Sequence, residues 1–386
     1  MFKKSILIIT KDWSPIQAAH GRLAFDVAQQ LLQEGHNVTV VTSSKNTGIF
    51  TEDGLTIHRV KPFLMPYRMR RIAKKIKTVN VVISLTQKAS LMHIGNYVAK
   101  KKNAKHIQWI QDLYPEIELA LGDKPKFRPS FYKRYLKSQK KCDHFVVSGR
   151  AMQSKIRQRH ILPNKITHIP NWTNLHGTHL EKEAKTKEAT SNYYDSNNIR
   201  RDDSPKFRII YAGNLGRAHP VSTIVKAAEI LKPHSEIEFI FIGDNHSNSK
   251  LASERDKKEL NNIRFIPYQP TGHYQAILES GDLHLVTLRP EFEGLLVPCK
   301  FFSSLMVGRP VLYLGTHDSE IGRIIDEYKC GEVLELMNAQ NLANAILKYR
   351  HDGQTWFKAQ EGSINAALEY TPANSLSMWS NLIETI

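Results

Sequence analysis

The stretch Phe207–Gly243, FRIIYAGNLGRAHPVSTIVKAAEILKPHSEIEFIFIG, contains one complete strand–helix–strand unit. Phe207–Tyr211 is a short continuous apolar run, as in a strand buried on both faces of a parallel sheet. It runs into Ala212-Gly213-Asn214-Leu215-Gly216, then a helix at Val221–Leu231 and a second strand at Ile237–Ile242. A chain that repeats this unit is an α/β protein with a parallel sheet.

The unit does repeat, in both directions. Downstream, Ile263–Ile266, Leu283–Thr287 and Val311–Leu314 read as strands with helices between them. Upstream, Thr173–Lys206 is polar, rich in Asn, Ser, Lys and Glu, and has almost no apolar periodicity, as expected of a linker or surface loop. Before it the alternation resumes. Ser5–Thr10 is a strand, Leu23 to Leu32 recur at helical spacing, Gly35 stops that helix, and Val38–Thr42 is the next strand. Val79–Leu85, His106–Ile110, His144–Val147 and Ile166–Ile169 are further strands, with helices at Leu91–Lys100 and from Ala151. The expected domains are 1–172, a linker over 173–206, a second domain over 207–368, and a C-terminal helix over 369–386 that can cross back to the first. Open parallel sheets bind ligands beyond the carboxyl ends of their strands, so the expected site is the cleft between the two domains.

Composition narrows the function. The 386 residues carry 54 Lys+Arg against 37 Asp+Glu, a formal net charge of +17. Hydrophobic content of 41% excludes a disordered chain. Met1–Leu180 holds 31 basic and 10 acidic residues, whereas the remainder holds 23 and 27. All the excess charge therefore sits in the first half, which points to a polyanionic partner there. Cys142, Cys299 and Cys330 are too few and too scattered for a disulfide framework or a zinc ribbon. The apolar run in MFKKSILIIT is too short for a signal peptide, and no stretch approaches a membrane span, so a cytoplasmic protein is expected.

Two segments carry candidate chemistry. Gly213-Asn214-Leu215-Gly216-Arg217 lies between a strand and a helix, where glycines admit a phosphate and a helix N-terminus favours an anion. Arg217 can add a bidentate contact, although a plain strand-to-helix turn reads the same way. In Pro290–Val311, PEFEGLLVPCKFFSSLMVGRPV, Glu291 and Glu293 precede Gly294, and Pro298-Cys299-Lys300 opens a helix that ends at Gly308. Lys300 there adds a mobile charge to an anion-favouring position.

These segments carry a resemblance. YAGNLGRAHP at Tyr211–Pro220, the VPCK and VGRPVL within Pro290–Leu312, and DLYPEIELALG at Asp112–Gly122 resemble a glycosyltransferase of family 4, most like the WbuB-like branch that builds bacterial surface polysaccharides. Gly35-His36-Asn37-Val38, Asn171-Trp172, Phe241-Ile242-Gly243-Asp244 and Arg264-Phe265-Ile266-Pro267 match in the same order.

The resemblance implies a GT-B fold, two Rossmann-like domains with parallel sheets facing across a central cleft. It implies a retaining transferase of hexosyl or N-acetylhexosaminyl type. Its donor would be a nucleotide-diphosphate sugar, UDP-sugar favoured over GDP-sugar, and its acceptor a polyprenyl-diphosphate-linked or other lipid-linked saccharide. Gly213, Asn214, Gly216, Arg217 and Lys300 would hold the diphosphate, with Arg217 and Lys300 stabilising it as it leaves, so no metal is required. Phe265 and Pro267 would border the base, Gly243 and Asp244 a neighbouring strand end, and Glu291, Glu293 and Gly294 the sugar or ribose. The family's usual pair of glutamates falls on Leu295 and Ser303 here, and Glu293 is two residues out of register.

On the acceptor side the candidates are Asp112, Glu116 and Gly21. Asp112 at a strand's carboxyl end can orient or deprotonate a hydroxyl, or it can cap the following helix; the resemblance favours catalysis. His20 reads as a surface histidine. In Arg59–Lys77 eight basic residues occur with no acid. Met69, Ile72, Ile76 and Val79 share a helical face there, with Arg68, Arg70, Arg71, Lys74, Lys75 and Lys77 around the rest. Such a helix suits an anionic membrane surface. Lys124–Arg159 adds twelve more Lys or Arg against Asp143 alone. The expected location is peripheral, on the inner face of the cytoplasmic membrane. Two other readings are a GT-B nucleotide-sugar epimerase and a nucleic-acid-binding α/β protein. The first gives no reason for the acceptor-side charge, and the second lacks a recognised motif or an aromatic strip.

Overall fold

A computed structural model of the chain describes residues 3–13, 19–122, 129–175, 206–213, 215–243, 245–267 and 271–386. Asn214, Asp244, the basic positions at 124–128 and most of the 173–206 segment lie outside the described residues. The chain divides into two compact units. One comprises Met1–Asn171, Gly294–Val297 and Pro372–Ile386; the other comprises Trp172–Glu293 and Pro298–Thr371.

The first unit holds an eight-stranded sheet built from β1 (Ser5–Ile9), β2 (Asn37–Ser43), β3 (Gly48–Glu52), β4 (Leu55–Val60), β5 (Val81–Leu85), β6 (Lys105–Ile110), β7 (His144–Val147) and β8 (Ile166–His168). The spatial order is β3-β4-β2-β1-β5-β6-β7-β8. Only the β3–β4 pair is antiparallel. Sequence patterning does not pick out this hairpin, whose turn passes through Asp53 at φ 47 and Gly54 at φ 80. Two positive-φ residues are what a two-residue hairpin loop needs.

Three helices pack on this sheet near the candidate residues. The helix α1 (Ala19–Gln33) buries Leu23, Ala24, Val27, Ala28 and Leu31, and Gly35 just beyond it has φ 86. The helix α2 (Met65–Lys75) buries Met65, Met69 and Ala73 in the core that also holds Leu7, Ile9, Val41 and Val60. The helix α3 (Ala89–Lys102) adds Leu91, Ile94 and Val98 to that core. The C-terminal helix Pro372–Thr385 belongs to this unit too. Its Trp379 is fully buried, edge-on to Trp109 with ring centres 4.7 Å apart, and Ser375 Oγ donates to Pro170 O at 3.1 Å. Truncating a core ring of that size costs about 3–5 kcal/mol in comparable proteins, so this helix is structural.

The second unit holds β9 (Phe207–Ala212), β10 (Ile237–Ile242), β11 (Ile263–Ile266), β12 (Leu283–Thr287), β13 (Val311–Leu314) and β14 (Gly331–Leu334), all parallel. Their order is β11-β10-β9-β12-β13-β14. In each sheet successive strands are added first toward one edge and then toward the other, and the switch falls between β1 and β5 and between β9 and β12. Loops that leave neighbouring strands toward opposite faces open a crevice at such a point.

Candidate active site

In the second unit, β9 delivers Tyr211 and then Gly213 to the carboxyl edge of the sheet. Gly213 has φ 115, a conformation open to glycine, and its N–H donates to Ile242 O at 2.7 Å. A Cβ at Gly213 would stand 3.5 Å from Lys300 Cε. Lys300 opens the helix Lys300–Met306 and lies with Nζ 3.7 Å from the centre of the Tyr211 ring, donating to the Tyr211 hydroxyl. Burial pulls the Lys300 amine down to about 7, because a low-dielectric surrounding penalises the ammonium form. An anion beside Gly213 would restore that charge.

His219 sits close by. Its Nδ1 donates to Thr287 O at 2.5 Å, and Nε2 has no hydrogen-bond partner among the described residues. Burial first, and then the charge of Lys300, push the imidazole down to about 3 against the opposing pull of the Thr287 carbonyl. A cavity of about 460 Å³ opens here, lined by Gly216, Arg217, His219, Lys226, Lys258 and Arg289 among others, with Glu254 as the one carboxylate among the described lining residues. That size suits a small ligand, and the excess of cations suits an anionic one. At the neighbouring strand ends, Gly243 N donates to Ile266 O at 3.1 Å. Tyr211, Phe241 and Phe265 form a row with ring centres 5.6 and 5.8 Å apart, and the Arg255 guanidinium lies 5.2 Å over Phe265. Pro267 follows that row as an exposed residue.

The acidic motif is arranged differently. Glu291 is exposed on a 3₁₀ turn, Pro290–Phe292, while Glu293 Oε2 accepts from Thr316 Oγ1 at 2.6 Å. Ser303 is buried and its Oγ donates to Thr173 Oγ1 at 3.4 Å. Gly294 and Leu295 group with the first unit. There Leu113 N donates to Leu295 O at 2.8 Å, Asp112 pairs with Leu296 in an isolated antiparallel bridge, and a Cβ on Gly294 would meet Lys155 Cε at 2.7 Å.

The carboxyl edge of the first sheet positions Asp112. At the end of β5, Thr86 Oγ1 accepts from Gln111 N at 3.1 Å and from Asp112 N at 3.3 Å. Gln87 Oε1 accepts from Thr10 Oγ1 and Lys11 N at 3.0 and 2.9 Å, tying the end of β5 to the end of β1. Asp112 is not a helix cap, because the helix Glu116–Ala120 is capped at Pro115. Its Oδ2 lies 3.7 Å from His20 Nε2. Burial raises the Asp112 carboxyl and the neighbouring His20 opposes the rise. Gly21, next to His20 in the first turn of α1, is buried.

Glu116 is committed elsewhere. It is ion-paired to Arg159, and its Oε1 accepts from the Tyr132 hydroxyl at 3.1 Å. Arg159 continues to Gln139 Oε1 at 2.6 Å, and Gln139 to Gln108 Oε1 at 3.0 Å. That chain of bonds ties up Oε1 of a partly exposed side chain, while Oε2 has no hydrogen-bond partner among the described residues.

Two family models match in succession. "Glycosyltransferase Family 4" covers residues 20–176, and "Glycosyl transferases group 1" covers residues 195–367. The chain belongs to glycosyltransferase family 4. It is 25% identical over 275 residues to a protein of Pseudomonas aeruginosa named as the glycosyltransferase WbjE, an alignment covering 68% of this chain and 64% of that one. It is 22% identical over 238 residues to Escherichia coli (strain K12) WcaI, named as a colanic acid biosynthesis glycosyl transferase, covering 60% and 56%. The chain thus spans less than two thirds of the length of either relative. The crystal structure of Anabaena Alr3699/HepE in complex with UDP-glucose superposes with a TM-score of 0.71 at 12% identity, covering 99% of this chain and 100% of that one. At that identity the likeness is one of fold, and the fold is GT-B.

In this member of the family the basic helix departs from the sequence reading. Its apolar stripe is core: Met69 is buried, Ile72 and Ile76 pack on the same cluster, and Val79 lies past the end of α2. Arg68, Arg71, Lys74, Lys75 and Lys77 are exposed, and Arg70, also exposed, stacks 3.8 Å over the Tyr97 ring of α3. No described helix is long and apolar enough to cross a membrane. Two residues at the second unit's strand ends and one in the first unit escaped the sequence reading. Tyr211 and His219 stood in the YAGNLGRAHP motif with no role assigned to either, and His20 read as surface. A signal for Tyr211 was present, since it ends a strand immediately before the glycine loop.

Proposed function

We propose that this glycosyltransferase moves a sugar from a nucleotide-diphosphate sugar, a UDP-sugar in preference to a GDP-sugar, to a lipid-linked saccharide acceptor in bacterial surface polysaccharide assembly. The observation that carries the reading is the placement of Lys300 against Gly213, with its ammonium over Tyr211. A cation held next to a bare glycine at a strand's carboxyl end fits a diphosphate. The named role of WcaI in colanic acid biosynthesis and the UDP-glucose held by HepE support the choice of pathway and donor.

In the reaction, the bond from the sugar's anomeric carbon to the diphosphate oxygen breaks, and a bond to the acceptor oxygen forms. Negative charge develops on the departing diphosphate, where Lys300 and Arg217 stabilise it electrostatically. These fixed cations take the part a divalent ion plays elsewhere, so the proposal requires no metal. The acceptor hydroxyl loses its proton to Asp112, whose partly covered carboxyl is raised toward the range useful for a base. Retention of anomeric configuration follows the family resemblance. The basic first unit would rest on the inner face of the cytoplasmic membrane, where the acceptor lies.

The test is transfer of radiolabel from a panel of UDP- and GDP-sugars to lipid-extractable material, using purified protein and bacterial membranes, with the anomer read by NMR. Label in the lipid fraction from one UDP-sugar supports the reading. Epimerisation or hydrolysis of the donor without any labelled lipid contradicts it.

A further inference from the structure

The helix α2 and the loop before it present three large apolar side chains to solvent, although the helix's own apolar face is already spent on the core. Phe63 is 73% exposed, Leu64 56% and Tyr67 66%. At 100° per residue, Tyr67 falls opposite the buried Met65, Met69 and Ala73, in the middle of the outward face and flanked by Arg71 and Lys74 at i+4 and i+7. Leu64 is odd for a second reason. It caps α2 with φ 54 and ψ 30, a left-handed conformation that a bulky side chain disfavours and that Gly or Asn adopts readily. Stability alone would place a small residue there. An energetically awkward leucine held out in solvent points to a use for its side chain.

We propose that Phe63, Leu64 and Tyr67 form a wedge that enters the interfacial layer of an anionic phospholipid leaflet, with Arg68, Arg71, Lys74 and Lys75 on the headgroups. The proposal deepens the membrane reading above and rests on it. Charge complementarity selects the occupant. The stretch from Arg59 to Lys77 has eight basic residues and no acid, which a soluble acidic protein could also use, but an aromatic at the centre of a basic face suits a surface that is charged above and apolar beneath. The division of labour differs from that of an ordinary amphipathic membrane helix. The helix's apolar stripe anchors it to the sheet, and its preceding loop and first turn supply the inserting groups.

The experiment is cosedimentation of the full chain with vesicles of phosphatidylglycerol and phosphatidylcholine, against phosphatidylcholine alone, at low and high salt. The wild type should bind the anionic vesicles and be released in part by salt, because salt screens the charges but not the apolar insertion. The triple variant Phe63→Ser, Leu64→Asn, Tyr67→Ser should lose about tenfold or more in affinity. The single variant Leu64→Asn is the sharper arm. It should melt no lower than wild type while binding vesicles more weakly, an opposition that a purely structural leucine would not produce. Phe63→Trp should be quenched by brominated lipid at the depth of the upper acyl chain. If the wild type binds anionic vesicles and the triple variant binds them equally well, the wedge is wrong and the electrostatic membrane reading survives. If the wild type binds neither vesicle, both fall.

Discussion

His20 Nε2 lies 3.7 Å from Asp112 Oδ2, joining the first turn of α1 to the carboxyl end of β6. Asp112 carries the proposed acceptor-side chemistry, so the pair makes a directional prediction. Burial raises the Asp112 carboxyl, and a protonated His20 opposes that rise. His20→Gln removes the opposition, so Asp112 holds its proton to higher pH and the acid limb of kcat/KM moves upward. Asp112→Asn should lose transfer by about 10²-fold or more and leave donor affinity near wild type. Collapse of donor affinity in Asp112→Asn, by calorimetry, would mark the residue as structural.

Lys300 predicts proton uptake on donor binding. Its amine titrates at about 7 without donor, and a diphosphate beside it favours the charged form. Below about pH 7 the amine is charged with or without donor, so affinity is flat. Above it, affinity falls by up to about tenfold per pH unit until the bound-state value is reached. Calorimetry of UDP binding near pH 8 in buffers of different ionisation enthalpy should register uptake that Lys300→Met lacks. The sign for stability runs the other way. Unfolding restores an ordinary lysine that takes up a proton, so this group's contribution makes the donor-free protein more stable as pH rises from about 7 toward 10.

Gly213 is a loop position where a side chain would meet both backbone strain and Lys300, the proposed diphosphate ligand. Its φ of 115 disfavours any L-residue, and the added Cβ would lie 3.5 Å from Lys300 Cε. Gly213→Ala should cost about 1–2 kcal/mol of stability by urea denaturation and weaken UDP binding by about tenfold. Wild-type affinity in this variant would mean that the loop does not touch the diphosphate.

Glu116 should behave as a structural residue held by Arg159. Removing its carboxylate takes one partner from the partly buried Arg159, which keeps Gln139 Oε1, so Glu116→Ala should lose about 1–2 kcal/mol of unfolding free energy. The KM for acceptor in the surviving folded fraction should stay close to wild type. A large KM effect with normal stability would return Glu116 to the acceptor site.

Much of the scaffold was legible because parallel strands announce themselves. Phe207–Tyr211, Ile237–Ile242 and Leu283–Thr287 are apolar on both faces, and the helix behind Lys300 begins and ends where Pro298 and Gly308 put it. The β3–β4 hairpin was not legible, since a five-residue edge strand with Ile49 exposed has neither a buried run nor strict alternation. The stripe of Met69, Ile72 and Ile76 was seen, but periodicity gives only a face and does not say whether sheet or bilayer covers it. Pairs such as Lys300 with Tyr211, 89 residues apart, depend on which strands are neighbours. Strand order is set by the helix crossovers, so such partners appear only in three dimensions.

The central claim is that the Gly213–Lys300 corner holds a nucleotide diphosphate. Titration of uridine diphosphate into wild type and Lys300→Ala, each shown to be folded by its melting transition, tests it most directly. The expected result is micromolar-range binding by the wild type and a loss of roughly 30-fold or more in the variant, the scale for removing a hydrogen-bonded charge partner. Equal affinity in the two proteins would contradict the claim.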